Sequence, residues 1–360
     1  MKELYKQISG RLNRVDFGAL WPGFARGPFA LYDDETVCAG ERTFPRDDRF
    51  LGNTTIELDG AWTAVWHIER GEDPDILAAG IVHEMFHSFQ RTQGEARFPD
   101  DLELFRLGVD EAELGLRALE CGILAEETPS LSRLADARAR RQAANPALTR
   151  QAELAETAEG MAEFMGMTAL AAIAPGKAEQ TRAAYRARLA DVARLADAAR
   201  LADVARLADT ARLADAALVT DTRRIAYFSG ALLLAAAREA GRGVFHEVGR
   251  EARTLGEVIL SQIKPKDAGN PPDAAPVARA EARRAAEKCR ALEEGAARTE
   301  RHAFITGYDP MNMTRAGDFV ACDRFVMLDG ELLGGPVLLE MAAGSKNEVI
   351  AVYRHRNVVS

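Results

Sequence analysis

Cysteine is scarce in this chain and scattered. Cys38, Cys121, Cys289 and Cys322 form no CxxC pair, which excludes a cysteine-based metal knuckle and offers no disulfide framework, so reduced, buried thiols are expected. An excess of positive charge is also missing: 46 Lys and Arg stand against 55 Asp and Glu, a formal net charge of -9. Phosphate contacts need clustered basic side chains, so nucleic acid is not an expected partner. No apolar run approaches the ~18 residues that cross a bilayer; the stretch from Gly230 to Ala237 is closed by Arg238 and Glu239. The opening MKELYKQISGRLNRVDF has no uninterrupted apolar segment and no small-residue cleavage pattern. No secretory signal is read there, and the expected location is cytoplasmic, without a membrane partner. Histidine is the last scarcity, with six in 360 residues.

What is present has the balance of a globular protein, 47% hydrophobic and 28% charged, with length for one large or two ordinary domains. Residues 29–69 read as strands and turns. The clearest piece is Thr54 to Leu58, then Asp59-Gly60, then Ala61 to Trp66, a hairpin signal because both turn positions need positive φ. Asp73-Pro74 offers a helix N-cap with proline in the first turn, predicting a helix from Asp75 to about Thr92, before Gly94. Helical pattern then dominates from Asp101 to Ala240, interrupted near Thr128-Pro129 and Asn145-Pro146. Lys264 to Pro276 reads as a linker or loop, an Ala-, Arg- and Glu-rich helix continues to about Arg298, and short strands follow at 318–328, 336–341 and 348–353. The expected fold class is α+β, with a mostly helical centre, an N-terminal β-hairpin or sheet and C-terminal short strands.

Residues 188–217 are a tandem repeat, RLADxA, with leucines at 189, 195, 201, 207 and 213. A period of six walks the leucines around a helix, whereas a coiled-coil seam needs 3.5 and a simple amphipathic face 3.6. The residue types still favour an extended helix. It reads as low-complexity helix; its functional alternative is an arm for a protein partner or self-association.

The chemistry sits on the helix after the hairpin. His83 and His87, four apart, face the same way on a helix and can share one tetrahedral zinc at roughly 2.0–2.1 Å per nitrogen. Glu84 lies about 100° round, beside the open position, where its carboxylate can take a proton from water whose pKa zinc lowers from ~15.7 to near 7. Met85 and Phe86 pack the helix inward, and no competing charge adjoins the pair. A third ligand is needed, and residues 153–166, ELAETAEGMAEFMG, supply Glu153, Glu156, Glu159 and Glu163 among apolar neighbours, where a carboxylate is costly unless paired or metal-bound.

On these residues the chain resembles the gluzincin metallopeptidases, whose signature is HExxH followed by E-G-x-A or E-x-x-x-D. The matching segments are His83-Glu84-Met85-Phe86-His87 and Glu159-Gly160-Met161-Ala162-Glu163. The resemblance implies one zinc (Zn2+) per chain on His83, His87 and Glu159, Glu84 as catalytic base, and Glu163 as the acidic residue orienting a histidine. Glu156, nearly on the same helix face, is the alternative third ligand. The implied domain is zincin-like over 1–263, followed by the 264–276 loop and a 277–360 unit packed on it. The sequence departs from the family in three ways: residues 88–158 separate the two segments, no GxMEN segment is present, and Gly80 replaces a usual Val or Thr.

Other roles are assigned by position. The hairpin is the candidate for pairing with a substrate backbone. Tyr227 is the leading candidate for an oxyanion donor, with Tyr308, His246 and His302 behind it, and His67 is expected near the cleft. The expected activity is cytoplasmic endopeptidase or oligopeptidase hydrolysis of a peptide or small protein. The alternative is a non-catalytic scaffold with a structural zinc and the repeat helix as its working surface. Hydrolysis of a non-peptide amide fits the same motif.

Overall fold

The computed structural model describes residues 1–69, 71–198, 218, 220–244 and 248–355. Mixed α and β structure is present. Two short helices, α1 (Lys2–Leu12) and α2 (Phe17–Leu20), precede a sheet of β1 (Phe29–Tyr32), β2 (Thr36–Ala39), β3 (Arg42–Pro45), β4 (Thr54–Leu58) and β5 (Ala61–His67). Its order is β3-β2-β1-β5-β4. β1 runs parallel to β5, and β4 pairs antiparallel with β5, so β4 forms an outer edge. The expected hairpin is there: Asp59 and Gly60 both take positive φ, 53° and 78°, as a two-residue turn demands. The α1 helix was not anticipated; its Ile8 and Leu12, one turn apart, are fully buried.

The centre is helical: α3 (Pro74–Thr92), α4 (Asp101–Leu107), α5 (Glu111–Ala125), α6 (Leu131–Ala144), α7 (Pro146–Ile173), α8 (Pro175–Ala198), α9 (Thr222–Glu239) and α10 (Leu255–Leu260). The breaks read from Pro129 and Pro146 are real boundaries. Asn145 caps α7 by accepting from the Leu148 amide, with Pro146 in the first turn, where its missing N–H costs nothing. The first repeats lie on α8, with Leu189 and Val192 buried; residues 199–217, and with them the proposed arm, lie outside the described residues. Among the described residues no helix is long and apolar enough to cross a membrane.

The 264–276 segment is a loop, yet not a free one. Lys266 donates its amide to the Ser132 carbonyl, and Ala268 and Ala274 are buried in the main core. Helix α11 (Ala275–Glu293) then stops sooner than expected, at Gly295 with φ 75°. Strand β6 (Ala297–Tyr308) begins where helix had been read. Its polar first half is held by backbone pairing with β12 (Glu348–Arg354), with side chains exposed on both faces of the strand. The region read as one strand, 318–328, divides at Asp323-Arg324 into β8 (Phe319–Cys322) and β9 (Phe325–Leu328). With β7 (Met313–Ala316), β10 (Glu331–Gly334) and β11 (Val337–Met341), the C-terminal sheet has the order β10-β9-β6-β12-β11-β8-β7. This sheet has its own core, into which Leu102 of α4 inserts.

Candidate metal centre

Three helices make the site, and glycines set how closely they meet. Asp73 caps α3 by accepting from the Asp75 amide, and the helix carries His83, Glu84 and His87 into the interior. α7 crosses it at Gly166, where an added Cβ would come within 2.9 Å of the Ala79 carbonyl oxygen. On its other side α7 meets α9 at Gly160 and Gly230, where a Cβ on either would fall 2.5–2.6 Å from the opposing Cα. Glu159 is therefore held between α3 and α9. The glycine after it is required by backbone contact, independently of any motif. Gly80 has a similar cause: a Cβ there would lie 2.4 Å from the Trp66 indole of β5. The valine or threonine of the family pattern is displaced by that ring.

The three ligand atoms converge. His87 Nε2 stands 3.0 Å from His83 Nε2 and 3.2 Å from Glu159 Oε2, and His83 Nε2 is 3.5 Å from the same oxygen. A tetrahedron with arms of roughly 2.0–2.1 Å spaces its donors about 3.3–3.4 Å apart, so this triangle fits zinc. The hydrogen bonds behind it fix which atoms carry lone pairs. His83 Nδ1 lies 2.9 Å from Glu163 Oε2, and an ionised carboxylate only accepts, so Nδ1 carries the proton. His87 Nδ1 lies 2.7 Å from Gln90 Oε1, and Gln90 Nε2 donates at 3.2 Å to the Ala158 carbonyl, which orients that amide as acceptor. Both Nε2 atoms and Glu159 Oε2 thus face one point, and a metal there would take their lone pairs once the proton that His83 holds has left. Such a group could hold a metal ion.

Charged and aromatic groups surround that point. Arg223 of α9 donates to Glu159 Oε1 and to Asp101 Oδ2, each at 2.6 Å, leaving Oε2 of Glu159 for the histidines. Tyr185 of α8 donates its hydroxyl to Glu163. The Tyr227 ring lies nearly parallel to that of His83, 5.4 Å between centroids at 4°. Glu84 is 8% exposed, and among the described residues no side chain hydrogen-bonds its carboxylate.

Electrostatics follow from this packing. Burial opposes charge on His83, but the Glu159 and Glu163 carboxylates outweigh it and push its pKa up to about 10 in the metal-free protein. Burial would raise Glu159 too, but His87 and Arg223 hold it well below the ordinary range. Burial pushes the Glu84 carboxyl up, with the histidines pulling the other way. Burial and then Glu159 hold the Tyr227 phenol well above its usual value, so it keeps its proton.

The other assignments separate. Glu156, the alternative third ligand, is a correction: its carboxylate accepts from Arg138 Nη1 and Nη2, each at 3.0 Å. A buried guanidinium has neutralised it. Glu153 is held by Arg138 and Thr254. His67 lies 3.4 Å from Asp34 and edge-on to Tyr32, and His302 is exposed beside Glu300. Tyr308 is raised by burial and then by Asp101 and Asp100, which brings it to the α4 side of the site. His246 lies outside the described residues. Arg223, Gln90 and Tyr185 were missed from sequence. Arg223 stands one turn before Tyr227 and Gln90 three residues after His87, the only local signals they offered.

No protein-family model, no curated protein and no solved structure matches this chain.

Proposed function

We propose that the chain is a zinc-dependent hydrolase of the gluzincin kind, with a zincin-like N-terminal domain, acting on peptide bonds as an endopeptidase or oligopeptidase. The observation that carries this reading is the 3.0–3.5 Å triangle of His83 Nε2, His87 Nε2 and Glu159 Oε2, three potential ligand atoms facing one point. Zinc bound there would supply Lewis acidity, acidifying a water molecule and polarising the carbonyl oxygen of a scissile bond.

The protein's own groups divide the remaining tasks. Glu84 accepts a proton from the attacking water and returns it to the leaving amine; its upward shift from burial suits a carboxylate that must both take and give. Tyr227, kept protonated, donates toward developing oxyanion charge. Glu163 and Gln90 lock the two imidazoles in the tautomer that offers Nε2. Arg223 holds one oxygen of Glu159 so that the other faces the histidines. The outer edge of β4 offers backbone N–H and C=O groups to an extended peptide. Thr55 Oγ1, 2.5 Å from Ser88 Oγ, fastens that edge to the helix one residue after His87.

A structural zinc in a scaffold protein is the competing reading. It calls for a fourth protein ligand, whereas the group able to hold a metal among the described residues has three, with Glu84 unpaired beside it. The test is elemental analysis of the purified chain together with digestion of a peptide library. One zinc per chain, with cleavage abolished by a chelator and restored by zinc, is expected. Stoichiometric zinc with no cleavage of peptides or other amides would overturn the hydrolase.

A further inference from the structure

We propose that Arg91 is a specificity-determining residue, selecting peptides that carry Asp or Glu two or three residues before the scissile bond. This rests on the hydrolase reading above and adds a substrate class to it. Arg91 stands four residues beyond His87, about 6 Å along the helix. Its guanidinium lies over two aromatic rings, 5.1 Å from the Trp62 ring centroid and 5.8 Å from that of Phe98. Held this way the fork is oriented before any ligand arrives, which lowers the ordering cost of binding. Arg91 is exposed, and among the described residues it forms no salt bridge with a carboxylate. Glu57, opposite Trp62 in the hairpin, is exposed and leaves it unpaired. Two other guanidiniums differ: Arg223, at the site, is held by Glu159 and Asp101, and Arg97 is held by Glu95.

The hairpin supplies the direction. Thr55 touches Ser88, while Trp62, paired with Glu57, touches Arg91. Thus β4 and α3 run the same way past the metal centre. A peptide adding antiparallel to the β4 edge, the more stable pairing, has its N-terminal part at the Arg91 end. From the midpoint of His83 and His87 to Arg91 is about six residues of helix, roughly 9 Å. At roughly 3.4 Å per residue in an extended strand, that is two to three substrate residues.

The experiment uses the zinc-loaded full chain and three peptides differing only at that position: Glu, Gln or Lys. Wild type is expected to rank them Glu, Gln, Lys in kcat/KM, with about fivefold between neighbours, the upper range for a solvent-facing ion pair. Arg91→Glu should reverse the ranking in kcat/KM, and Arg91→Gln should flatten it. Binding of the same peptides to Glu84→Gln protein, followed by fluorescence anisotropy, gives a readout independent of cleavage. The same ranking in wild type and Arg91→Glu, or no charge preference in binding, would overturn the role of Arg91. A charge preference in binding without cleavage by wild type would sink the hydrolase and leave the selection by Arg91 standing.

Discussion

Helix α7 carries two buried polar clusters a turn or two apart, and they are closed differently. In the first, Glu153 and Glu156 join Glu113 and Glu120 against Arg117, Arg138 and Arg141. The contacts include Arg138 to Glu120 at 2.9 Å and Arg141 to Glu113 at 2.5 Å. In the second, Glu159 and Glu163 join Glu84 and Asp101, with Arg223 as the cation that pairs with Glu159 and Asp101. Four carboxylates face three guanidiniums in one and a single guanidinium in the other. A divalent ion would bring the second to the residual charge of the first. Buried charge must be compensated; the first cluster is closed by its own guanidiniums, as a strut, and the second is the one that the proposed zinc would complete, as a receptor.

The largest effect expected from this contrast concerns Glu84. Glu84→Gln should retain one zinc per chain and lose turnover by at least ~100-fold, whereas His87→Ala should lose both, as read by elemental analysis and peptide hydrolysis. Full activity in purified Glu84→Gln protein would remove the assigned base. In the strut, Arg138→Met strands carboxylates that a guanidinium had neutralised. It should lower stability by about 3–5 kcal/mol in denaturant unfolding. A loss below 1 kcal/mol would show that the strut carries little.

Around the receptor, Glu163→Gln and Arg223→Met leave metal ligands in place but release what orients them. Each should weaken zinc binding by about 10–100-fold in a competition titration, with unfolding in the metal-free state changed far less than by Arg138→Met. Unchanged affinity in both would confine those residues to packing.

The smallest effect is a proton count. His83 has a folded pKa raised to about 10 by its carboxylates, above the ordinary 6.5. Its charged form therefore stabilises the metal-free protein fully below pH 6.5, and that contribution is lost as pH rises through about 10. Zinc must displace this proton at neutral pH, so affinity should climb with pH across that window. Calorimetry at pH 8 in buffers of different ionisation enthalpy should show about one proton released per zinc; none would mean His83 is already neutral.

Much of this was legible locally. The Asp59-Gly60 hairpin, the Asp73-Pro74 start of α3 and the Asn145-Pro146 start of α7 are set by turn and cap chemistry, which acts over a few residues. The β6 strand was not, because its first half is polar and becomes strand only by pairing with β12, some fifty residues on. Composition alone does not separate Glu153, Glu156 and Glu159; the Glu159-Gly160-Met161-Ala162 segment favoured Glu159 only through the resemblance, with Glu156 left as the alternative. Arg138 on a different helix separates them.

The sequence by itself determined that two imidazoles and a carboxylate share one turn of helix, because helical periodicity needs nothing beyond spacing. It also determined that acidic side chains would be buried downstream, since apolar neighbours surround them. Tertiary structure alone decided that Arg138 takes Glu156 while Glu159 meets the histidines, why Gly80 and Gly160 are glycine, and that Arg223 closes the back of the site. Those choices depend on how closely α3, α7 and α9 cross, and backbone approach is a property of pairs of helices that neither strand of sequence carries alone.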